Sequence, residues 1–369
     1  MNKAEHYYPE LDSLRFLAFL FVLINHAPFV KTIPAWVTLS NYGWMGVDLF
    51  LCLSAFLFAK LLFVEYQEKG DINIGYFYLR RALRIWPLYF IFVGMMLIYS
   101  IFMNGWANGI SIRLLGLLTF TDNLFTMALG YNFALLYMTH LWTISYEEQF
   151  YLVIPWALRF LYRQKDTTSF TILGGITLLG MIIRALFIYY QVRHPAIWVF
   201  PLTHFESILG GLIIGLGLFD KVSKKISSWF LLIGGIIALW LVTLLPDVNL
   251  IQWKLMLTYP LVGIGVSLIL LAVMQGGLWP ISVLMKNKLL GYLGKISYGL
   301  YVYHLLGLGL VLKFASTFVS SAHLLVYPVF VLITTLFLTI LISTLSYQIL
   351  EKPFLKMKSR FTFVQSRSV

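Results

Sequence analysis

The chain of 369 residues is 60% hydrophobic and only 11% charged, with a mean hydropathy of +0.84, whereas a soluble domain carries about 25% charged residues. A soluble fold is thereby excluded, and most of the chain belongs in lipid. The net charge of +12, from 27 Lys and Arg against 15 Asp and Glu, reads in such a chain as basic loops on one side of a membrane, not as a nucleic-acid surface. A single cysteine, Cys52, lies inside an apolar run and excludes intrachain disulfides and Cys-based metal sites.

Ten stretches have the length and apolarity to cross a hydrocarbon core: 14–30, 44–65, 85–103, 142–162, 169–190, 197–219, 229–246, 255–275, 289–313 and 323–350. A shorter run at 114–127 has the size of a re-entrant segment. The first stretch contains Arg15 and His26 and ends without a small-residue cleavage site, so it reads as a retained helix and not as a secretory signal. With the N-terminus in the cytoplasm, the inner segments carry eighteen Lys and Arg and the outer segments five, namely Lys31, Arg113, Arg193, Lys254 and Lys313. This asymmetry predicts an all-α integral membrane protein of about ten transmembrane helices with both termini cytoplasmic. Residues 1–350 form one membrane domain, and 351–369 a basic tail.

Ionisable side chains within spans are costly and face a partner, a cavity or a substrate path. Arg15 and His26 are eleven positions apart, so on a helix they differ by about 20° in direction and roughly 16 Å along the axis, and one face carries both. His26, Asp48 and Glu147 share a layer roughly 6–8 Å below the outer surface at 1.5 Å per residue, and Arg184, His204, Glu206 and His304 lie deeper in the same half. A carboxylate beside an imidazole in this layer would raise its basicity and fix its tautomer, as a general base acting on a hydroxyl requires. The competing reading is a set of structural ion pairs, and it is the favoured one for Asp48 and Arg184. At the opposite face, Arg81 and Arg84 point to one side of a helix as two guanidinium forks that match phosphate geometry. Alone such a pair is a topology determinant or a lipid headgroup contact; with Arg15 it forms an anchor for an anionic cytoplasmic ligand. Ser297, Tyr301 and His304, at offsets of four and seven, make one polar stripe that faces protein or a cavity.

Five segments in order along the chain resemble the acyltransferase-3 family of membrane acyltransferases. They are Leu11-Asp-Ser-Leu-Arg15 followed by His26; Gly46-Val-Asp-Leu-Phe50 with Leu53-Ser-Ala-Phe-Leu57; Arg81-x-x-Arg84-Ile-Trp-Pro87; His140-Leu-Trp-Thr-Ile-Ser-Tyr-Glu-Glu-Gln-Phe-Tyr151; and Ile296-Ser-Tyr-Gly-Leu-Tyr-Val-Tyr-His304. One departure is Ala55, where the family usually has Gly, which puts the packing of the second helix in question. The resemblance implies transfer of an acyl group, acetyl above all, from cytoplasmic acyl-CoA to a hydroxyl of a cell-envelope or secreted carbohydrate, by an enzyme of the bacterial cytoplasmic membrane. It assigns His26 as general base or acyl-carrying nucleophile, with Glu147 orienting and charging its imidazole. Arg15, Arg81 and Arg84 would hold the donor phosphates, and Tyr301, His304 and Asp48 would be substrate contacts. Acyl-CoA, the acceptor and membrane lipids are the expected partners, with no metal and no nucleic acid. With only a short tail after the last span, the membrane domain is expected to complete transfer itself. A proton-coupled transporter is the alternative from another class, since intramembrane His, Glu and Arg also build proton relays; it lacks an evident inverted repeat.

Overall fold

The computed structural model describes residues 7–27, 34–131, 134–318 and 326–362, and no strand occurs among them. Pro9, whose missing N–H costs nothing in a first turn, opens α1 (Pro9–His26). The short α2 (Pro34–Tyr42) leads into α3 (Met45–Lys69), which Gly70 stops in a left-handed conformation at φ 75°. Asn73 caps α4 (Ile74–Asn104) by accepting the Tyr76 N–H at 2.9 Å. Helices α5 (Ile110–Leu118) and α6 (Asp122–Leu129) form a hairpin pinned by the buried Arg113–Asp122 pair at 2.6 Å. They occupy the region of the short 114–127 run, and neither is long enough to cross a bilayer.

Next come α7 (Trp142–Leu161), α8 (Asp166–Tyr189), α9 (Ala196–Val199), α10 (Glu206–Gly215), α11 (Asp220–Ser223), α12 (Ser228–Val242) and α13 (Leu255–Gln275). The chain ends through α14 (Ile281–Met285), α15 (Lys288–Lys295), α16 (Ser297–Phe318), α17 (Val326–Ser346), a π-turn at Tyr347–Glu351, α18 (Lys352–Lys358) and a 3-10 turn at Ser359–Phe361. Six helical segments are long and apolar enough to cross a membrane: α3, α4, α8, α13, α16 and the continuous rod from Val326 to Phe361. The protein is therefore multi-pass. The other four expected stretches coincide with α1 and α7, which bear three charged residues each, and with the shorter α10 and α12. The ends of the first and last expected stretches, 28–30 and 323–325, fall outside the described residues.

Two boundaries differ from the sequence expectation in ways that matter. Helix α4 begins eleven residues before position 85, so Arg80, Arg81 and Arg84 lie within it and not at its entrance; the Asn73 cap decides this, where hydropathy saw only the charges. The stretch 197–219 is broken between α9 and α10. A break inside an apolar stretch frees backbone groups that must find partners within the protein. Here the Thr203 carbonyl accepts from Arg184 Nε at 2.8 Å, the His204 carbonyl from the Tyr146 hydroxyl, the Trp198 carbonyl from His204 Nδ1 at 3.0 Å, and the Val199 carbonyl from Asn123 Nδ2 at 3.2 Å. Arg184 also pairs with Glu206 and lies 4.9 Å from the centre of the Tyr259 ring.

Helices α3 and α10 approach closely through small residues, as in other membrane helix pairs. A Cβ built at Gly211 would lie 2.2 Å from the Cys52 carbonyl and 2.9 Å from Cβ of Ala55; one at Gly215 would lie 2.4 Å from Cβ of Ala59. Ala55 is thus accommodated because the facing residue has no side chain, and the methyl questioned above is packed and fully buried. On the basic face, Asp71 in the α3–α4 turn is bonded by Arg159, which holds this carboxyl below the usual carboxylate range and ties α7 to that turn.

Candidate active site

Helices α1, α3, α4, α7 and α16, together with the segment after α17, enclose a cavity of about 260 Å³. One end is basic. Arg15 from α1, Arg81 and Arg84 from α4, and Lys358 from the last turn of α18 all line it. Arg15 is paired with Asp12 at 2.9 Å. Arg81, stacked 4.7 Å from the centre of Phe58, and Arg84 form no ion pair or side-chain hydrogen bond among the described residues. Both are only partly buried, and four cations meet at this end of the cavity, with Asp12 and Glu147 the acids that line it.

The other end is hydroxylic. Tyr301 and Thr143 line it and share a 2.6 Å hydrogen bond, and both hydroxyls also lie within bonding distance of the His140 carbonyl, at 3.2 and 2.9 Å. Glu147 stands on the wall between the two ends. It accepts from the Ser54 hydroxyl at 2.9 Å and acts electrostatically on both Arg15 and Arg81.

Behind Tyr301 sits a cluster of three histidines. The rings of Tyr301 and His304 are 5.5 Å apart, those of His304 and His140 4.7 Å, and those of His304 and His26 4.9 Å. Their tautomers follow from their partners, because a carbonyl can only accept. His304 Nδ1 donates to the Tyr301 carbonyl at 2.6 Å, leaving its Nε2 as an acceptor. His26 Nδ1 donates to the Val22 carbonyl at 2.9 Å and faces that His304 Nε2 at 3.2 Å. The neutral form of His26 is then the Nδ1–H tautomer, with a lone pair on Nε2, which no described residue engages, as a general base requires. His140 Nε2 donates to the Val302 carbonyl at 3.1 Å, and its Nδ1 is buried without a partner among the described residues.

The structure thus brings Arg15, Arg81, Arg84, Glu147 and Tyr301 together around one cavity and sets His26 and His304 together beyond its hydroxylic end. None of the hydrogen bonds of His26 and Glu147 links them: the group that faces the His26 imidazole is His304, where a carboxylate was expected. Asp48, expected as a substrate contact, is wholly buried outside the cavity. It is bonded to the Ser207 hydroxyl and, at 2.9 Å, to His204 Nε2. Two residues of the site were not singled out in the sequence. His140 stood inside a recognised motif, and its proximity to His304 was the missing signal; Lys358 was counted only as tail charge.

The family profile described as "Acyltransferase domain" matches residues 8–346, nearly the whole chain and every helix that builds the cavity up to α17. The chain belongs to the acyltransferase-3 family. It is 27% identical over 371 residues to "Putative O-acetyltransferase SACOL0978" of Staphylococcus aureus (strain COL), covering 96% of this chain and 58% of that protein. It is 26% identical over 365 residues to "O-acetyltransferase OatA" of Staphylococcus aureus (strain NCTC 8325 / PS 47), covering 95% of this chain and 57% of that protein. The chain therefore spans somewhat more than half the length of these relatives. No solved structure matches it.

Proposed function

We propose that the protein transfers an acyl group, acetyl above all, from cytoplasmic acyl-CoA to a hydroxyl of a cell-envelope or secreted carbohydrate at the bacterial cytoplasmic membrane. The observation that carries this reading is the cavity itself: the arginine forks of α4, without an ion pair among the described residues, at one end, hydroxyls at the other, and behind them a histidine whose Nε2 no described residue engages. Acyl-CoA has matching polarity, with phosphates at one end and a thioester at the end of a flexible arm. Arg81 and Arg84 would receive the phosphates as bidentate partners, with Arg15 adding charge. The rise from Arg15 to His26, roughly 16 Å along α1, is the distance the arm would bridge. The O-acetyltransferase names of the relatives support acetyl transfer to oxygen.

In this reading the thioester lies against Tyr301 and Thr143, whose mutual hydrogen bond is exchanged for one to the acyl oxygen. His26 Nε2 takes the proton of the acceptor hydroxyl as the oxygen attacks the acyl carbon; the C–S bond breaks and the thiolate leaves, to be protonated to free coenzyme A. His304 holds the His26 ring in place and takes no part in bond making. A sequence in which His26 itself carries the acyl group uses the same contacts. Glu147 balances Arg15 and Arg81 and positions them, in place of a role on His26. About ten membrane crossings with both termini cytoplasmic would put the arginine end of the cavity on the side where acyl-CoA is found. The test is release of free coenzyme A thiol by the purified protein given acetyl-CoA and an acceptor glycan: acceptor-dependent release that disappears in His26→Ala is the expected result, and its absence in folded wild-type protein would refute the reading.

A further inference from the structure

After the last long helix, residues 347–362 are not a loose tail. Beyond α17 the chain passes through the π-turn, packs α18 against α4, and ends its described part at Thr362 on the cavity wall. Arg80 is the clasp. Its guanidinium pairs with Glu65 of α3 at 3.0 Å and donates to the Phe361 carbonyl at 2.9 Å, while the Phe361 ring meets Tyr76 edge-on at 5.5 Å. Glu65 is itself fixed by the Asn73 N–H at 2.9 Å. The clasp holds Lys358, three residues earlier, at the basic end of the cavity beside Arg81 and Arg84.

Lys358 has no ion pair among the described residues, and the charged groups that act on it most strongly are Arg81, Arg84, Arg80 and Arg15, all of its own sign. Gathering like charges at a partly buried site is unfavourable unless an anion joins them. A free tail would carry its ammonium into water; this one is clasped with Lys358 against the cavity.

We propose that the carboxyl-terminal segment completes the donor site, with Lys358 as a phosphate-binding residue and Arg80 as the residue that positions it. The inference rests on the acyl-CoA reading above and adds to it an element from outside the five motif segments. Unlike the arginines, Lys358 offers a point charge on a flexible stem, suited to a phosphate whose orientation is set elsewhere.

The experiment is calorimetric titration of the full-length protein in detergent with coenzyme A and, separately, with pantetheine, which has the arm and no phosphate. Lys358→Met preserves length and apolar stem. It is expected to weaken coenzyme A binding roughly ten- to a hundredfold, the range of one lost charge-assisted hydrogen bond, and to leave pantetheine binding unchanged. Lys358→Arg is expected to retain most of the affinity. Arg80→Lys, which keeps a charge for Glu65 but gives up the two-pronged clasp, is expected to raise the donor KM and leave kcat intact, a split that a merely structural role would not produce. Unchanged coenzyme A binding by Lys358→Met, or equal losses for coenzyme A and pantetheine, would overturn the inference and leave the acyl-CoA reading standing. Failure of the folded wild-type protein to bind coenzyme A at all would overturn both.

Discussion

In the proposed reaction His26 is the base and His304 positions its ring. Because no described residue engages His26 Nε2 and its Nδ1 is committed, His26→Ala should lower kcat by about 10²–10⁴-fold with coenzyme A binding unchanged by calorimetry. His304→Phe keeps an aromatic ring in place while removing the Nε2 that faces His26. Its kcat should fall less, and the double variant should be no worse than His26→Ala alone, since groups acting as a unit are not additive. An added loss in the double variant would separate the two rings. Arg81→Lys and Arg84→Lys keep the charge but lose the fork, so donor KM should rise well above any change in acceptor KM in steady-state assays. Glu147→Gln, through its effect on Arg15 and Arg81, should shift donor KM as those variants do; a collapse of kcat at unchanged donor KM would return Glu147 to the chemistry.

Helix α10 and the break before it explain why so many charges occur in apolar sequence without belonging to the site. Arg184, His204 and Glu206 serve the freed carbonyls and the chain around them, and Asp48 joins this network through His204. Removing one member of a buried pair leaves the other uncompensated, at a cost of about 3–5 kcal/mol. Arg184→Met should therefore lower the melting temperature in detergent sharply, and the double variant Arg184→Met with Glu206→Leu should recover part of it. The α3–α10 contact makes an independent claim at the same scale. Gly211→Ala must displace the Cys52 backbone and should cost about 1–3 kcal/mol as overpacking, whereas Gly175→Ala, on α8 with nothing within 4 Å of the added carbon, should melt like the wild type. Equal melting of the two variants would mean that the helices part more easily than their contact indicates.

The cation cluster and the histidine cluster meet α1 at Arg15 and His26, roughly 16 Å apart along its axis, which gives orientation a direct consequence for the chemistry. Cys52 is buried and so serves as a silent background for thiol labelling in intact cells. Asn249→Cys, between α12 and α13, is expected to react with a membrane-impermeant maleimide from outside, and Ser366→Cys only after the membrane is opened. The reverse pattern would place the arginine end of the cavity away from cytoplasmic acyl-CoA and remove the donor assignment.

Length, apolarity and basic-residue asymmetry determined that the chain is helical and lies in lipid, since each crossing must bury its own backbone hydrogen bonds. The spacing of Arg81 and Arg84 and the paired positions of Arg15 and His26 were legible for the same reason: they share a helix, whose geometry is local. The partners across helices were not. That His26 faces His304, that Glu147 answers Ser54 and the arginines, that Asp48 belongs to His204, and that Lys358 returns to the cavity all depend on which helix lies beside which. Shared depth in the membrane places two groups in the same layer without saying on which side of a helix they meet. Only the packing of helices across the fold, with close contacts such as that of Gly211 on α10 against Cys52 on α3, decided which charges gather around the cavity and which became structure.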